Sequence, residues 1–271
     1  MKELGLIANS LPIDPGEVSD YTKWHYVNEP ANNGAEIVTP IMSGTPEDYR
    51  LLGEVLEAVR DNGGIPNTGG HINVGTDLFK NDVAAYTHLL EIYEANADTL
   101  HRLGNHHDGQ SRNISMAQPN RKPASGYASI TSLTELPDPD DKYVAVNLTH
   151  VKGQRGDRVE FRFWSGSLDL AVWQARMELS RTLVNAAADA SLRSKTKQQL
   201  ANSKPLGAHH ERARKGDAPQ DNAAELAPLV ELIDLLEPHL SSKAVKRQAA
   251  QLFAATDWLP DPLGTPVPAG R

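Results

Sequence analysis

The spacing of hydrophobic positions changes several times along the chain, and each change marks an element. In YTKWHYVNEPANNGAEIVTPIMSG, residues 21 to 44, two short apolar runs flank a polar, Asn-rich turn. That pattern predicts two strands, the second running from Gly34 to Pro40. The period then becomes helical, with Leu52, Val55, Leu56 and Val59 forming a stripe in TPEDYRLLGEVLEAVRDNGG. Thr45 suits the N-cap, Pro46 the first helical position, Glu47 and Asp48 the positive end of the dipole, and Gly63 the C-cap. Period two returns in GGHINVGT, residues 69 to 76. As a strand, this stretch turns His71 and Asn73 to one face and Ile72 and Val74 to the other.

Residues 81 to 103 carry a helical pattern (Ala84, Ala85, His88, Leu89, Ile92, Tyr93) ended by Gly104. The segment 104 to 142 is polar and rich in Gly, Pro, Asn and Ser, and reads as a long functional loop. KYVAVNLTHV (142–151) and RVEFRFWSG (158–166) are strand candidates around the turn KGQRGD. From Ser167, as N-cap, one long helix is predicted, with Leu170, Trp173, Met177, Leu183 and Val184 on its buried side. Two further helices are predicted at 223–237 and 241–255.

These elements do not alternate regularly as βαβ, which predicts an α+β fold: a mostly antiparallel twisted sheet with helices packed on one face. The expected organisation is a domain over 1–202, a linker over 203–222, a small helical C-terminal extension over 223–256 and a Pro-rich tail over 257–271. No internal repeat is visible.

Composition narrows the functional classes. At 271 residues with 39% hydrophobic and 23% charged residues, the chain can bury a real core, and no apolar run approaches a membrane span. The absence of cysteine excludes disulfides, thiolate metal sites and cysteine nucleophiles. A net charge of −8 argues against a broad nucleic-acid surface, so an anionic ligand needs a local basic cluster. No signal peptide is visible, and the expected location is cytoplasmic, although a cysteine-free chain also suits a secreted effector that crosses membranes unfolded.

The candidate chemistry sits on the strands. Glu36 interrupts GAEIVTP, His71 and Asn73 interrupt GGHINVG, and Glu160 and Arg162 alternate with Val159, Phe161 and Phe163 in RVEFRFW. A solvent-facing position explains any one of these. If the strands share a sheet, one face collects two carboxylates, an imidazole, an amide and a guanidinium. Carboxylate oxygens suit a hard cation such as magnesium, and carboxylate-held magnesium beside arginine suits nucleotide phosphates. Arg112, Arg121 and Lys122, in SRNISMAQPNRKP, add cations suited to a triphosphate or a carboxylate.

The order GAEIVTP, GGHINVG, VAVNLTH, RVEFRFWSGSLDLAVWQARMEL resembles the amidoligase family, within the superfamily of glutamine synthetase and glutamate–cysteine ligase. The resemblance spans about residues 22 to 190. Its most specific part is the E-x-R strand end followed by a small-residue turn and a helix; the Gly-x-His-x-(His/Asn) strand is the second marker. It implies a glutamine-synthetase-like catalytic domain. Glu36 and Glu160 would be metal-binding carboxylates, and His71 would sit beside metal and phosphates, with Asn73 where many relatives have a second histidine. Arg162 would bind the phosphoryl or acyl-phosphate oxygens, with Arg112 in a similar anion-binding role, and Asn147 would lie near the substrate. The implied reaction is ATP- and magnesium-dependent amide or isopeptide formation from a carboxylate and an amine through an acyl phosphate. The expected partners are ATP and those substrates (amino acid, peptide or protein side chain), not nucleic acid or membrane.

One departure stands out. The family's opening Gly-x-Glu-x-Glu strand is not found, and KELGLIANSLPID begins where the following helix is expected. This predicts that the chain is a piece of a longer polypeptide, cut just after that strand, or that the site has degenerated. The alternative function is thus a catalytically degenerate domain that binds peptide or nucleotide. A metal-dependent hydrolase using the same face ranks last, for want of a water-activating ligand triad.

Overall fold

A computed structural model describes Asp14, Val18 and residues 20–29, 34–66, 69–104, 130–136, 143–151, 157–203 and 222–255. These residues form an α+β protein with seven α-helices and two small antiparallel sheets. The chain divides into two units, one of residues 1–68 with Leu168–Leu170, the other of 69–167 and 171–271. The expected linker (all but 203 and 222) and the Pro-rich tail lie outside the described residues.

In the first unit, β1 (His25–Glu29) pairs antiparallel with β2 (Gly34–Val38), with Val27 opposite Glu36. Helix α1 (Pro46–Asp61) starts where the sequence predicts, at a capping box. The Thr45 hydroxyl accepts from the Asp48 amide at 3.2 Å, and the Asp48 carboxylate accepts from the Thr45 amide at 3.0 Å. Asn62 occupies the C-cap, and Gly63 follows with φ +74°, a conformation glycine adopts without strain. Leu52, Val55 and Leu56 are buried, as are Val18, Trp24 and Val27 in the same unit.

The second unit is built on the sheet β3–β5–β4, with β5 (Arg158–Ser165) central between β3 (Gly69–Gly75) and the short β4 (Val146–Asn147). Glu36 therefore does not share a sheet with His71 and Glu160, contrary to the single sheet expected. The β3–β5 register slips once. Gly70 pairs with Trp164 and Ile72 with Phe161, which leaves Arg162 and Phe163 together opposite His71. This β-bulge changes the parity of β5, so Phe161 and Trp164, three apart, pair with β3 residues of one face. Every β5 side chain from Val159 to Ser165 is buried, so the face expected to look outward is covered as well.

The single helix expected over 81–103 is two. Helix α2 (Val83–Ala95) ends at Asn96, whose side chain donates to the Ile92 carbonyl at 2.9 Å, and α3 (Ala97–Gly104) follows. Gly104 belongs to α3 and lies against β5 so closely that a Cβ there would meet the Phe163 carbonyl oxygen at 2.1 Å. The long helix also breaks. Helix α4 (Leu170–Ala188) starts two residues later than a Ser167 cap predicts, and Asp189, capping a short turn through Ser191 at 2.9 Å, separates it from α5 (Arg193–Asn202).

The buried side of α4 includes Val172, Ala175, Arg176, Leu179 and Leu183, while Trp173 and Met177 are half-buried. Arg176 is completely buried because it serves a neighbouring helix end. It donates to the carbonyls of Ser165 at 2.5 Å, Gly104 at 3.0 Å and Leu103 at 3.5 Å, meeting the negative end of α3. Burial lowers its pKa to about 9. Helices α6 (Asn222–Leu236) and α7 (Lys243–Ala255) are not a separate extension. Leu229, Leu232, Leu235, Leu236, Val245 and Phe253 join the same core as Phe161, Trp164 and Leu100. Among the described residues no helix is long and apolar enough to cross a membrane.

Candidate functional site

Cross-strand partners in an antiparallel sheet project to the same face. Glu160 on β5 pairs with Asn73 on β3 and with Asn147 on β4, so these three form a row across the sheet. Alternation places Arg158 on the same side as Glu160, one step along β5, and Arg162 follows at the bulge. His71 lies beside that bulge.

The side chains close into a network around the carboxylate. Glu160 Oε1 is 2.9 Å from His71 Nδ1 and accepts from Arg162 NH1 at 2.9 Å. Glu160 Oε2 accepts from Asn147 Nδ2 at 2.8 Å. The Asn147 amide is held in that orientation because its Oδ1 accepts from the Thr149 backbone at 2.8 Å. Arg158 Nε donates to Asn73 Oδ1 at 3.3 Å. The Arg162 guanidinium lies 5.7 Å from the centre of the Tyr143 ring. His71 keeps 24% of its side-chain surface, against 9% for Glu160 and 10% for Arg162. The imidazole is thus the part of this trio closest to solvent.

Burial on its own raises the pKa of Glu160, but the hydrogen bond and charge of His71, with the charge and hydrogen bond of Arg162, outweigh it and hold the carboxyl at about 2. The carboxylate is ionised throughout the physiological range. Two arginines, Arg158 and Arg162, against the one glutamate give this cluster a surplus of positive charge, suited to an anion.

The sequence singled out His71, Asn73, Asn147, Glu160 and Arg162, and the second unit brings all five together. Glu36 is exposed on β2 of the first unit. Arg112, Arg121 and Lys122 lie outside the described residues. Two residues of the face were missed. Arg158 shares the β5 parity of Glu160, a signal present in RVEFRFW that was passed over for Glu160 and Arg162. His150, in the turn after β4, has its pKa lowered by burial first and then by Arg158, with Glu160 opposing, which puts it within the electrostatic reach of the cluster.

Two other buried histidines are structural. His88 Nδ1 lies 3.0 Å from the Ala187 carbonyl and so carries a proton, while Nε2 meets the Thr196 hydroxyl at 2.9 Å. His101 Nε2 lies 3.0 Å from the Tyr93 hydroxyl, and burial lowers its pKa to about 4.

The chemistry of the donors tests the magnesium expectation. A resident magnesium ion needs oxygen ligands turned towards one point. Both oxygens of Glu160 face N–H donors, and two of its neighbours are cations or potential cations. Among the described residues no group of three or more His, Cys, Asp or Glu side chains could hold a metal ion. The described residues of this face do not fit a resident magnesium.

No protein-family model, no curated protein and no solved structure matches the chain.

Proposed function

We propose that the protein is an ATP-dependent carboxylate–amine ligase of the amidoligase type, its second unit being a variant of the glutamine-synthetase-like catalytic domain and its setting the ATP-supplied cytoplasm. The observation that carries this reading is the Asn73–Glu160–Asn147 row with His71 and Arg162 bonded to its central carboxylate. An ionised, hydrogen-bonded cluster with surplus positive charge can hold a phosphoryl group or a substrate carboxylate in fixed orientation.

In the reaction, a substrate carboxylate oxygen attacks the γ-phosphorus of ATP, and the bond to the ADP oxygen breaks. The amine nitrogen then attacks the acyl carbon, inorganic phosphate leaves, and the amine gives up one proton. This chain's residues contribute binding and orientation: Arg162 and Arg158 balance charge on the transferred group, and the two asparagines orient polar substrate atoms. No side-chain nucleophile is required.

A degenerate domain that binds nucleotide or peptide is the second reading. It is favoured by the full engagement of Glu160 and by the absence of a metal-ligating group among the described residues. ADP release from ATP supplied as its magnesium salt, with pooled carboxylates and amines, separates the two. Amine-dependent release that falls about 10²–10³-fold in Arg162→Ala supports the ligase. Tight nucleotide binding without release supports the binding module, and neither binding nor release sinks the ligase and the nucleotide-binding module alike.

A further inference from the structure

The strand glutamate of this site holds three N–H donors at once. His71 Nδ1, Arg162 NH1 and Asn147 Nδ2 lie 2.9, 2.9 and 2.8 Å from its oxygens. A cation at either oxygen would displace one of these donors or stand against a guanidinium. The amide of Asn147 cannot turn its oxygen towards such a cation without losing the Thr149 backbone donor. The bulge adds to this. Arg162 and Phe163 both sit opposite His71, and the Arg162 amide donates to the carbonyl of Ala145, the residue before β4, at 2.8 Å, so the backbone on both sides fixes the guanidinium's origin beside the imidazole. Arg162 NH1 also lies 3.5 Å from His71 Nδ1. A nitrogen that donates to Glu160 cannot accept from Arg162, and the shorter contact, to the carboxylate, sets the imidazole's hydrogen on Nδ1.

We propose that Glu160 is a positioning residue and not a metal ligand: it holds Arg162 and fixes His71 with its proton on Nδ1. This rests on the site described above and deepens the ligase reading, since the anionic substrate then meets fixed cations and not a protein-held metal. Asn147 is the third support, locking the second carboxylate oxygen. Within this trio His71 and Arg162 meet substrate, and Glu160 acts through them.

Two measurements on the full chain test the role without relying on turnover. The first is the ring-nitrogen spectrum of His71 at a pH where it is neutral, assigned by comparison with His71→Asn. Wild-type protein should show the Nδ1–H tautomer, and Glu160→Gln should lose that preference. The second is titration with Mn²⁺ alone, which should show the same affinity in wild type and Glu160→Gln within about twofold. A wild-type His71 with its proton on Nε2 overturns the proposal whether or not the variant folds. So does a loss of Mn²⁺ affinity of about tenfold or more in a folded Glu160→Gln. The ADP-release assay separates this failure from that of the ligase reading. Turnover together with a Glu160-dependent Mn²⁺ site keeps the ligase and removes the positioning role. The expected tautomer and metal indifference without turnover do the reverse.

Discussion

At the scale of single residues, the charge state of the buried groups decides how stability responds to acid. The folded Glu160 carboxyl sits at about 2, below its unfolded value of about 4.3. Its contribution is therefore complete above about pH 4.3 and is lost as pH falls towards 2. His101 moves the other way from its ordinary value. It is neutral and buried, with a folded pKa of about 4 against about 6.5 unfolded. The unfolded chain binds the extra proton first, so stability falls as pH drops from about 6.5 to about 4. Urea midpoints measured from pH 7 to 4 should decline, and His101→Gln should flatten that decline even if it lowers the midpoint throughout. Arg162→Ala should cost about 3 kcal/mol in urea unfolding at pH 7, because it removes one cationic partner from a buried carboxylate. His71 and Asn147 remain, which keeps the loss at the low end for a broken buried pair.

At the scale of elements, close approaches and caps carry the local decisions. Helix α3 touches the β5 backbone only because Gly104 has no side chain. Gly104→Ala must push helix and strand apart, and an unfolding cost of about 1–3 kcal/mol is expected from overpacking. Thr45→Ala removes half of the α1 capping box, with an expected cost of about 1 kcal/mol by the same measurement. The cap was legible in the sequence because its partners are three residues apart. The breaks at Asn96 and Asp189 were not. Both follow runs with unbroken helical periodicity, and each break is made by an Asn or Asp side chain bonding to nearby backbone, a choice those residues offer in many contexts. The β5 bulge was equally invisible, since an extra residue shows only against the partner strand.

At the scale of the whole molecule, the helical C-terminal region matters more than its position suggests. Leu232, Leu235, Leu236 and Phe253 are fully buried in the core that also holds Phe161 and Trp164. A chain ending at Ser203 should lose cooperative unfolding and bind a hydrophobic dye, measured by thermal melting and dye fluorescence. A cooperative transition at the full-length midpoint would mean that α6 and α7 are dispensable for the core. The sequence placed these two helices almost to the residue and misplaced their allegiance, because amphipathic spacing reports that a face is apolar and not what covers it.

What the sequence determined by itself is local: the element types, the α1 N-cap and the shared parity that set His71 beside Asn73 and Glu160 beside Arg162. Such features arise from residues a few positions apart. Only the tertiary structure decided the rest. It separates Glu36 from the sheet of Glu160, buries Arg176 under a neighbouring helix end, and gives the Glu160 carboxylate its partners from β3, β4 and β5. The bonds of Glu160 to Asn147 and of Arg176 to Gly104 span 13 and 72 positions, and a side chain's charge state and hydrogen-bond partners depend on what folding brings to it.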